Sequence, residues 1–504
     1  MDNPATLYDR AFVAYRAGDK AAAEPLLDLC LAQAPDMARA YLLKSVVHDK
    51  ADAPTCLALV EQAAMLDPSD AEAWYNLGVF QSERGRRDEA LRAYQRAVDL
   101  SPFMVDALNN GCELLRRSGQ FTTALGWADR QLAAHGPSWA AHLNRAICLV
   151  HLRRFAESEA AFAEAKALAQ DRPIVDWERF SLMLFMRRFA EAWDDFEYRF
   201  ACGHLNGVFC YPFVQPLWRG ESLAGKHILI HNEQGLGDQL MFASALEEVI
   251  AAAGKVTLVA APELTPLFTA SFPKARVLTA RYGAFAGDHP PPDWLGTLGQ
   301  VDFQAPIGSL MAVLRRTDES FAAPKAFIRP SDAARKTWAG FKAGPGLKVG
   351  VCWASNPAVF RSDSAQRAVR KSMPLEAMTP LTAVKGISLI SVLNWTIDPM
   401  PAAFRGKLTD VSRRLRSLDD TAALIENLDL VVTVDTAVAH LAGAMGKETW
   451  LLLHDFADCR WELEADSSYW YPDMTLIRQD EAGDWPGVMA QVVERLNARV
   501  AAAS

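Results

Sequence analysis

The chain has 504 residues, half of them apolar, and carries 52 Lys and Arg against 61 Asp and Glu, which gives a formal net charge of −9. A chain of this length and apolar content buries more than one core, so we expect a folded protein of several domains. The acidic balance excludes nucleic acid, or an anionic membrane face, as a partner held by broad electrostatic attraction.

No uncharged apolar stretch approaches the roughly 18 residues that a membrane span needs. The first residues, Met1 to Pro4, lack the basic and apolar regions of a signal peptide. We therefore expect a cytoplasmic protein with no membrane span. The eight cysteines are scattered, without a Cys-x-x-Cys pair, and are interpreted as reduced packing residues.

In the first part of the chain, prolines recur at a nearly constant interval. They stand at Pro35, Pro68, Pro102, Pro137 and Pro173, separated by 33, 34, 35 and 36 residues. A period of this length is typical of a repeated pair of helices. The clearest unit resembles the tetratricopeptide repeat (TPR) at Trp74, Leu77, Gly78, Ala90, Tyr94, Ala97 and Pro102.

Stacked helix pairs form a bent array with an extended groove, so we predict an α-solenoid over residues 1–200 that holds a peptide or a protein. The alternative is that the array only dimerises the protein or supports the rest of the chain. Residues 188–199 form a last, aromatic unit that we interpret as a cap. Trp193, Phe196 and Phe200 share one helical face, which favours a core between domains over a ligand-binding set.

After residue 200 the periodicity changes. Residues 201–225 are rich in Gly and Pro and are interpreted as a connector. Beyond them, short β-rich runs alternate with helical stretches, a pattern typical of parallel sheets covered by helices. The runs are residues 227–230, 256–259, 276–278, 349–353, 387–392, 430–434 and 450–453. A seam at 331–346 divides the region, so we predict two Rossmann-like domains, at 226–345 and 346–504, and an α + α/β fold class.

Ligands of such sheets bind beyond the carboxyl ends of the strands, so the loops there are candidate sites. The first loop contains Gly235, Gly237 and Asp238. The glycines permit a tight turn and a close backbone approach, and a helix starting near Asp238 directs its amide dipoles into the cleft. Asp238 is either the N-cap of that helix or a carboxylate of the cleft.

The second loop, after the run at 349–353, is the most basic stretch of the chain. It contains Asn356 and a series of cations that ends at Lys371, followed by Ser372. Lys and Arg side chains that face a cleft neutralise a phosphate or a carboxylate. The alternative is a solvated loop.

The third loop has the strongest pattern, a buried strand that turns into a helix at Asp435 and Thr436. Free amides of Thr436, Ala437 and Val438 at the helix start can hold a pyrophosphate. His440 lies four residues after Thr436, on the same helical face, where its ring reaches the same anion. The alternative for His440 is a histidine of the core.

A fourth loop, residues 454–461, contains Arg460 and is followed by the aromatic run 469–471. These side chains can stack on a base or a sugar. Packing explains the aromatic residues equally well.

Together the loops resemble those of the bacterial TPR-linked glycosyltransferases, relatives of the ADP-heptose:lipopolysaccharide heptosyltransferases. The matching motifs are Glu-Gln-Gly-x-Gly-Asp at 233–238, Trp-x-x-Asn-Pro at 353–357, Val-Asp-Thr-Ala-x-Ala-His at 434–440, and the aromatic cap. The resemblance covers nearly the whole chain. It implies a GT-B fold, in which two Rossmann-like domains face each other across a cleft and the C-terminal one holds most of the nucleotide-sugar. It also implies a final helix, here residues 485–501, that crosses back to the N-terminal domain.

Site residues follow from the resemblance where the motifs match. Asp238 corresponds to the aspartate proposed as general base, and Lys371 matches a lysine that binds donor phosphate, although closer relatives carry Arg there. Ala437 stands where heptosyltransferases have Gly, which narrows the approach for the diphosphate. The implied donor-binding residues are Gly235, Gly237, Asn356, Lys371, Ser372, Asp435, Thr436, Ala437 and His440.

The resemblance implies an inverting transfer of a sugar from a nucleotide-sugar, which is a substrate, so no cofactor is expected. No Asp-x-Asp stands at a strand end, so we expect no metal. The expected acceptor is a Ser or Thr hydroxyl of a bacterial protein held by the TPR groove, with flagellin as the example among relatives of this architecture. The alternatives are a heptosyltransferase-like enzyme acting on a glycan or lipid, and a catalytically inactive scaffold.

Overall fold

The computed structural model of the chain describes residues 2–203, 208, 211, 213–281, 293–321, 326–354, 371–395, 397 and 399–503. The chain divides into two compact units, Met1–Val175 and Asp176–Ser504. Within the described residues, the first unit is helical and the second contains two parallel sheets with helices. The predicted α + α/β fold class is confirmed.

The first unit is an array of helix pairs. Its helices are α1 (Pro4–Arg16), α2 (Lys20–Gln33), α3 (Ala38–Val47), α4 (Ala53–Leu66), α5 (Ala71–Glu83), α6 (Arg87–Leu100), α7 (Val105–Arg117), α8 (Phe121–His135), α9 (Trp139–His151) and α10 (Phe155–Leu168). Each helix packs against the next one along the chain for most of the array. Stacking of this kind buries a continuous core that no single pair could bury alone.

The pair α5 and α6 shows why the repeat sequence packs this way. Gly78 on α5 stands against the ring of Tyr94 on α6, where a Cβ atom would lie 2.6 Å from Cδ1. Tyr94 and the neighbouring Ala97 are buried. Gly111 on α7 contacts the ring of Trp127 on α8 in the same way, one unit later. Small residues therefore set the distance between paired helices, as the repeat pattern predicts.

The second unit begins within α11 (Pro173–Phe185), which is followed by α12 (Phe189–Phe196). The array predicted over residues 1–200 therefore divides at Val175. The aromatic cap groups with the sheets rather than with the preceding helix pairs.

The first sheet is parallel, with strand order β3-β2-β1-β4. Its strands are β1 (His227–His231), β2 (Lys255–Ala260), β3 (Arg276–Thr279) and β4 (Phe303–Pro306). The helices between and after these strands are α13 (Leu236–Phe242), α14 (Leu246–Ala252), α15 (Thr265–Ser271) and α16 (Leu310–Leu314). In register, Ile228 of β1 lies opposite Val256 and Phe303. Every residue of β1 is buried, which explains its continuous apolar run.

The second sheet is also parallel, with strand order β10-β9-β8-β5-β6-β7. Its strands are β5 (Leu347–Cys352), β6 (Ile387–Ser391), β7 (Leu408–Asp410), β8 (Leu430–Val434), β9 (Thr449–Leu453) and β10 (Met474–Arg478). The helices of this part are α17 (Asp332–Trp338), α18 (Leu418–Glu426), α19 (Ala437–Ala444) and α20 (Trp485–Ala503). Val349 of β5 and Leu430 of β8 lie opposite each other in the core.

Three strands, β4, β7 and β10, were not predicted from the sequence. Each lies at an edge of its sheet. β4 and β7 have only 4 and 3 residues, so their sequence pattern is weaker than that of the central strands. The seven predicted runs are all strands, and their ends differ from the observed ones by at most two residues.

The final helix α20 packs on the second sheet. Its residues Val488, Met489, Val492 and Leu496 are buried in the core formed with the strands of that sheet. The expectation that this helix crosses back to the first Rossmann-like domain is corrected, because its buried apolar face is occupied by its own domain.

The aromatic cap contacts both sheet-containing parts of the second unit. Trp193 and Phe196 are buried, and their ring centroids lie 6.5 and 5.8 Å from that of Phe242 at the end of α13. Trp193 also lies 6.1 Å from Trp470, which precedes β10. Trp193 and Phe196 therefore belong to a buried aromatic core within the second unit, and a core between the array and the next domain stays a prediction.

Among the residues that the structure describes, no helix is both long enough and apolar enough to cross a membrane. The cysteines of the described ranges are free thiols, and all except the partly exposed Cys459 are buried.

Candidate active site

The loop after β1 turns sharply into α13. Gly235 is the N-cap of α13 and has extended backbone angles, whereas Gln234 has a φ of 57°, in the left-handed region. This conformation is uncommon for a residue with a side chain and concentrates at functional sites. The turn places Gly237 and Asp238 at the carboxyl end of the first sheet.

Asp238 uses both carboxylate oxygens. Oδ2 accepts a hydrogen bond from the Gly235 N–H at 3.0 Å, and Oδ1 accepts one from Nη1 of Arg460 at 2.7 Å. The helix begins at Leu236, so Asp238 is its third residue and not its N-cap. One oxygen therefore stabilises the start of α13, as an acid at this position does. The other oxygen lies in the cleft.

Glu233 anchors the same loop through a buried ion pair with Arg199. Their atoms lie 2.7 Å apart (Nε···Oε2) and 2.8 Å apart (Nη2···Oε1), and Glu233 also accepts the Gly308 N–H at 2.8 Å. The Arg199 guanidinium lies 4.0 Å from the ring centroids of both Phe196 and Phe200. The aromatic cap thus holds the first loop in place. The sequence did not reveal this pair, because its residues belong to different elements.

The junction of β8 and α19 forms the start of a helix that faces the cleft. Thr436 is the N-cap, and its hydroxyl accepts the Val438 N–H at 3.2 Å. The prediction that the Val438 amide is free is therefore wrong. The N–H groups of Thr436 and Ala437 have no acceptor among the described residues. Two amides at the positive end of the helix dipole, rather than the three predicted, are therefore available to an anion.

His440 lies one turn into α19 and is buried. Its Nδ1 lies 2.9 Å from the Tyr471 hydroxyl, and its Nε2 lies 4.0 Å from Oδ1 of Asp435. Burial lowers the pKa of His440 to about 4 and raises the pKa of Tyr471 well above its usual value, so both groups are neutral at pH 7. We assign Nδ1 as the acceptor of the tyrosine proton, which leaves Nε2 as a hydrogen-bond donor.

Lys371 lies between two carboxylates. Its Nζ is 2.5 Å from Oδ2 of Asp435 and 3.9 Å from Oδ2 of Asp458. Burial favours the neutral form of Lys371, but both carboxylates outweigh it and raise its pKa. Burial likewise opposes the charge of Asp435, but Lys371 outweighs it, so the pKa of that carboxyl is lowered. The Met373 N–H donates to the Trp353 carbonyl at 2.9 Å, which fixes the segment after Lys371 at the end of β5.

Arg460, in the turn after β9, connects the two sheets. Its Nε donates to Oδ1 of Asp458 at 2.9 Å, and its backbone N–H donates to the same atom at 3.3 Å. Its Nη1 reaches Asp238. Burial opposes the charge of Asp458, but Arg460 and Lys371 outweigh it and hold the pKa of that carboxyl well below its usual range.

The sequence prediction assigned Arg460 to stacking and did not select Asp458. The available sequence signal was an acidic residue, Asp458, two positions before a basic one, Arg460, shortly after a strand. That signal does not show which residue of the other sheet completes the arrangement.

Among the described residues, these side chains form a charged cluster in which carboxylates outnumber permanent cations by one. The members of the charged cluster are Asp238, Lys371, Asp435, Asp458 and Arg460. The neutral His440 borders it.

The structure adds little about two further residues predicted to bind the donor, Ser372 and Asn356. Ser372 follows Lys371 and is partly buried. Asn356 lies outside the described residues, as do the basic residues of 355–370. Within the described ranges, His, Cys, Asp and Glu side chains form no group of three suited to a metal ion. The expectation that no metal is needed stays a prediction.

The fold and the charged cluster define a class of protein. Loops of two parallel sheets bring three carboxylates, two cations and a helix N-terminus together, which suits binding of a phosphorylated ligand beside a proton acceptor. The tetratricopeptide repeat pattern matches residues 71–104 and 108–173, and the pattern of glycosyltransferase family 9 (heptosyltransferase) matches residues 400–451. The chain therefore carries matches to both patterns, and the predicted resemblance is confirmed. This combination supports glycosyltransferase activity.

Individual relatives cover different parts of the chain. Protein FlbA of Caulobacter vibrioides is 28% identical over 448 residues, which are 85% of this chain and 73% of that protein. The PEX5-related protein of Mus musculus is 40% identical over 57 residues, 11% of this chain and 10% of its own length. A tetratricopeptide repeat protein from Parabacteroides merdae, 20% identical, covers 39% of this chain and 79% of its own, with a TM-score of 0.34.

Proposed function

We propose that the chain is an inverting, metal-independent glycosyltransferase of GT-B fold. It moves a sugar from a nucleotide-activated donor to a Ser or Thr hydroxyl of a bacterial protein held by the TPR groove. The observation that carries this proposal is the ion pair between Asp238, after a strand of the first sheet, and Arg460, after a strand of the second. It brings a carboxylate able to accept a proton next to the groups suited to a diphosphate.

The donor diphosphate binds at the second sheet in this proposal. The Thr436 and Ala437 amides, Lys371 and the Nε2–H of His440 donate to its oxygens. Asp435 acts through Lys371, which it holds at 2.5 Å. Gly237 has no side chain, so α13 approaches His440 closely.

The transfer itself is a single displacement at the sugar carbon. The acceptor oxygen forms a bond to this carbon while the bond to the donor phosphate breaks, and the hydroxyl proton passes to Asp238. The nucleoside diphosphate leaves with the electron pair of the broken bond. Lys371, His440 and the two amides stabilise the charge that develops on it. Because an alcohol has a high pKa, the carboxylate takes the proton as the new bond forms.

The acceptor is assigned from the repeats. An array of helix pairs presents an extended surface of the kind that binds a peptide or protein segment, and a small glycan needs no such length. Flagellin is the acceptor that we favour, on the resemblance to TPR-linked glycosyltransferases of this architecture.

A thermal-shift experiment on the full chain with a panel of nucleotide-sugars tests the proposal. A donor that binds the folded chain alone stabilises it by about 2.7 kcal/mol at a hundred times its Kd, so the melting temperature rises. The corresponding free sugars are the control and should produce no shift. If no member of the panel raises the melting temperature, an inactive scaffold is favoured instead.

A further inference from the structure

Arg460 has one local anchor and one distant partner. Its Nε and its backbone N–H both donate to Asp458, two residues earlier in the same turn. Its Nη1 donates to Asp238, which lies 222 residues away. Its Nη2 has no acceptor among the described residues. A guanidinium fixed at Nε keeps its Nη edge available for a bidentate partner such as a phosphate.

An anion that enters this site competes with carboxylates for the same cations. In the charged cluster, carboxylates already outnumber cations by one among the described residues. A diphosphate therefore binds both Nη groups of Arg460 only where Asp238 releases Nη1. The side chains of Asp238 and Arg460 are 19% and 21% exposed, whereas that of Asp435, the partner of Lys371, is 7% exposed. Release of Asp238 into solvent costs less than release of the more buried Asp435.

We propose that Arg460 exchanges its partner Asp238 for the donor diphosphate. Asp458 holds the guanidinium in position for either partner. This inference rests on the proposed function and adds a donor-binding residue and an order of binding. In the ion pair, Oδ1 of Asp238 is occupied by the guanidinium and Oδ2 by the Gly235 N–H. When Arg460 moves to the diphosphate, Oδ1 loses its cationic partner and is open to the proton of the acceptor hydroxyl. The donor therefore binds first and releases the base.

Titration calorimetry of the full chain with ADP, GDP, UDP and CDP tests the exchange. Asp238→Asn replaces the competing carboxylate by a neutral amide, so it should tighten binding of the preferred nucleotide roughly 3- to 30-fold. Arg460→Ala removes the exchanging group and should weaken binding roughly 10- to 100-fold. Asp466→Asn, at an exposed carboxylate of the same domain, is the matched control and should leave the affinity unchanged.

The double variant separates exchange from simple removal of a negative charge. With Arg460→Ala already present, Asp238→Asn should tighten binding less than twofold, because no partner remains to be released. An equal gain in both backgrounds, or no gain in the wild-type background, overturns the inference and leaves the proposed function intact. If the wild type binds none of the four nucleotides, both fail. Should Arg460→Ala not fold, Arg460→Lys serves in its place, since a single ammonium lacks the bidentate edge.

Discussion

Gly237 lies so close to His440 that a methyl group on its α-carbon would stand 2.8 Å from Cδ2 of the imidazole. Gly237 belongs to α13, next to the first sheet, and His440 to α19, next to the second. The absence of a side chain at Gly237 therefore sets how closely the two helices approach at the cleft. Both residues were predicted to bind the donor, and the structure places them in direct contact.

Gly237→Ala should impair the site more than the fold. The added methyl group forces α13 and His440 apart, and overpacking of this kind costs about 1–3 kcal/mol. We expect weaker nucleotide-sugar binding and slower transfer, with a modest fall in melting temperature. Gly340→Ala is the matched control, because a Cβ there meets no described atom within 4 Å. Unchanged donor binding in Gly237→Ala would contradict the close packing of the two helices.

Lys371→Ala should weaken donor binding by about 1–3 kcal/mol, the range for a charge-assisted hydrogen bond. The substitution also leaves Asp435 buried without its cation, so the stability of the variant should fall. Lys371→Ala/Asp435→Asn removes that penalty and should recover the melting temperature without recovering donor affinity. Lys385→Ala, at an exposed lysine of the same domain, is the control. Donor affinity restored in the double variant would show that Lys371 does not contact the donor.

The sequence predicted those parts of the site that lie within one strand–helix junction. Asp435, Thr436 and His440 are neighbours along the chain, and their spacing on a strand and helix fixes their common face. The glycines of the first loop likewise indicated a sharp turn. Central strands were found because they are buried on both faces and read as apolar runs.

The contacts that complete the site depend on how distant segments meet. Arg460 pairs with Asp238 across 222 residues, and Tyr471 meets His440 across 31. No periodicity encodes such pairs, because they follow from the packing of two sheets and their loops. The alternative that Asp238 is an N-cap is wrong for a related reason: an acidic residue in the first turn of a helix gives the same sequence pattern as an N-cap.

Buried histidines should make the fold sensitive to mild acid. The pKa of His440 is about 4 in the folded chain against an ordinary value of 6.5, and burial is the cause. Between pH 6.5 and 4 the unfolded chain takes up a proton that the folded chain refuses, so stability falls as the pH falls through this window. The pKa difference corresponds to about 3 kcal/mol at most. Above pH 6.5 this contribution should not vary.

The measurement is the change in unfolding free energy between pH 7 and pH 5, from urea titrations of the wild type and His440→Gln. The variant should lose less stability over this interval than the wild type. His231, whose pKa is also lowered to about 4 by burial, retains its own contribution in both proteins. Equal losses in the two proteins would show that His440 is not buried in its neutral form.

The repeat array should bind the acceptor protein when the second, sheet-containing unit is removed. Residues 1–175 form a compact unit with their own buried core, and repeat arrays are stabilised by contacts between neighbouring repeats. A fragment of these residues should therefore capture the acceptor protein in a pull-down, as the full chain does. Capture by the full chain together with none by the fragment would contradict a recognition role for the array.

The central claim is that this chain transfers a sugar with Asp238 as the base, and the measurement that tests it most directly is the intact mass of the acceptor protein after incubation with donor. The wild type should add the mass of one or more sugar residues. Asp238→Asn should slow the transfer roughly 10²- to 10⁴-fold, because an amide cannot take the proton. It should keep its melting temperature, since Asn can still accept the Gly235 N–H at the start of α13. Near-normal transfer by Asp238→Asn, or no mass gain by the wild type with any nucleotide-sugar of the panel, would contradict the account.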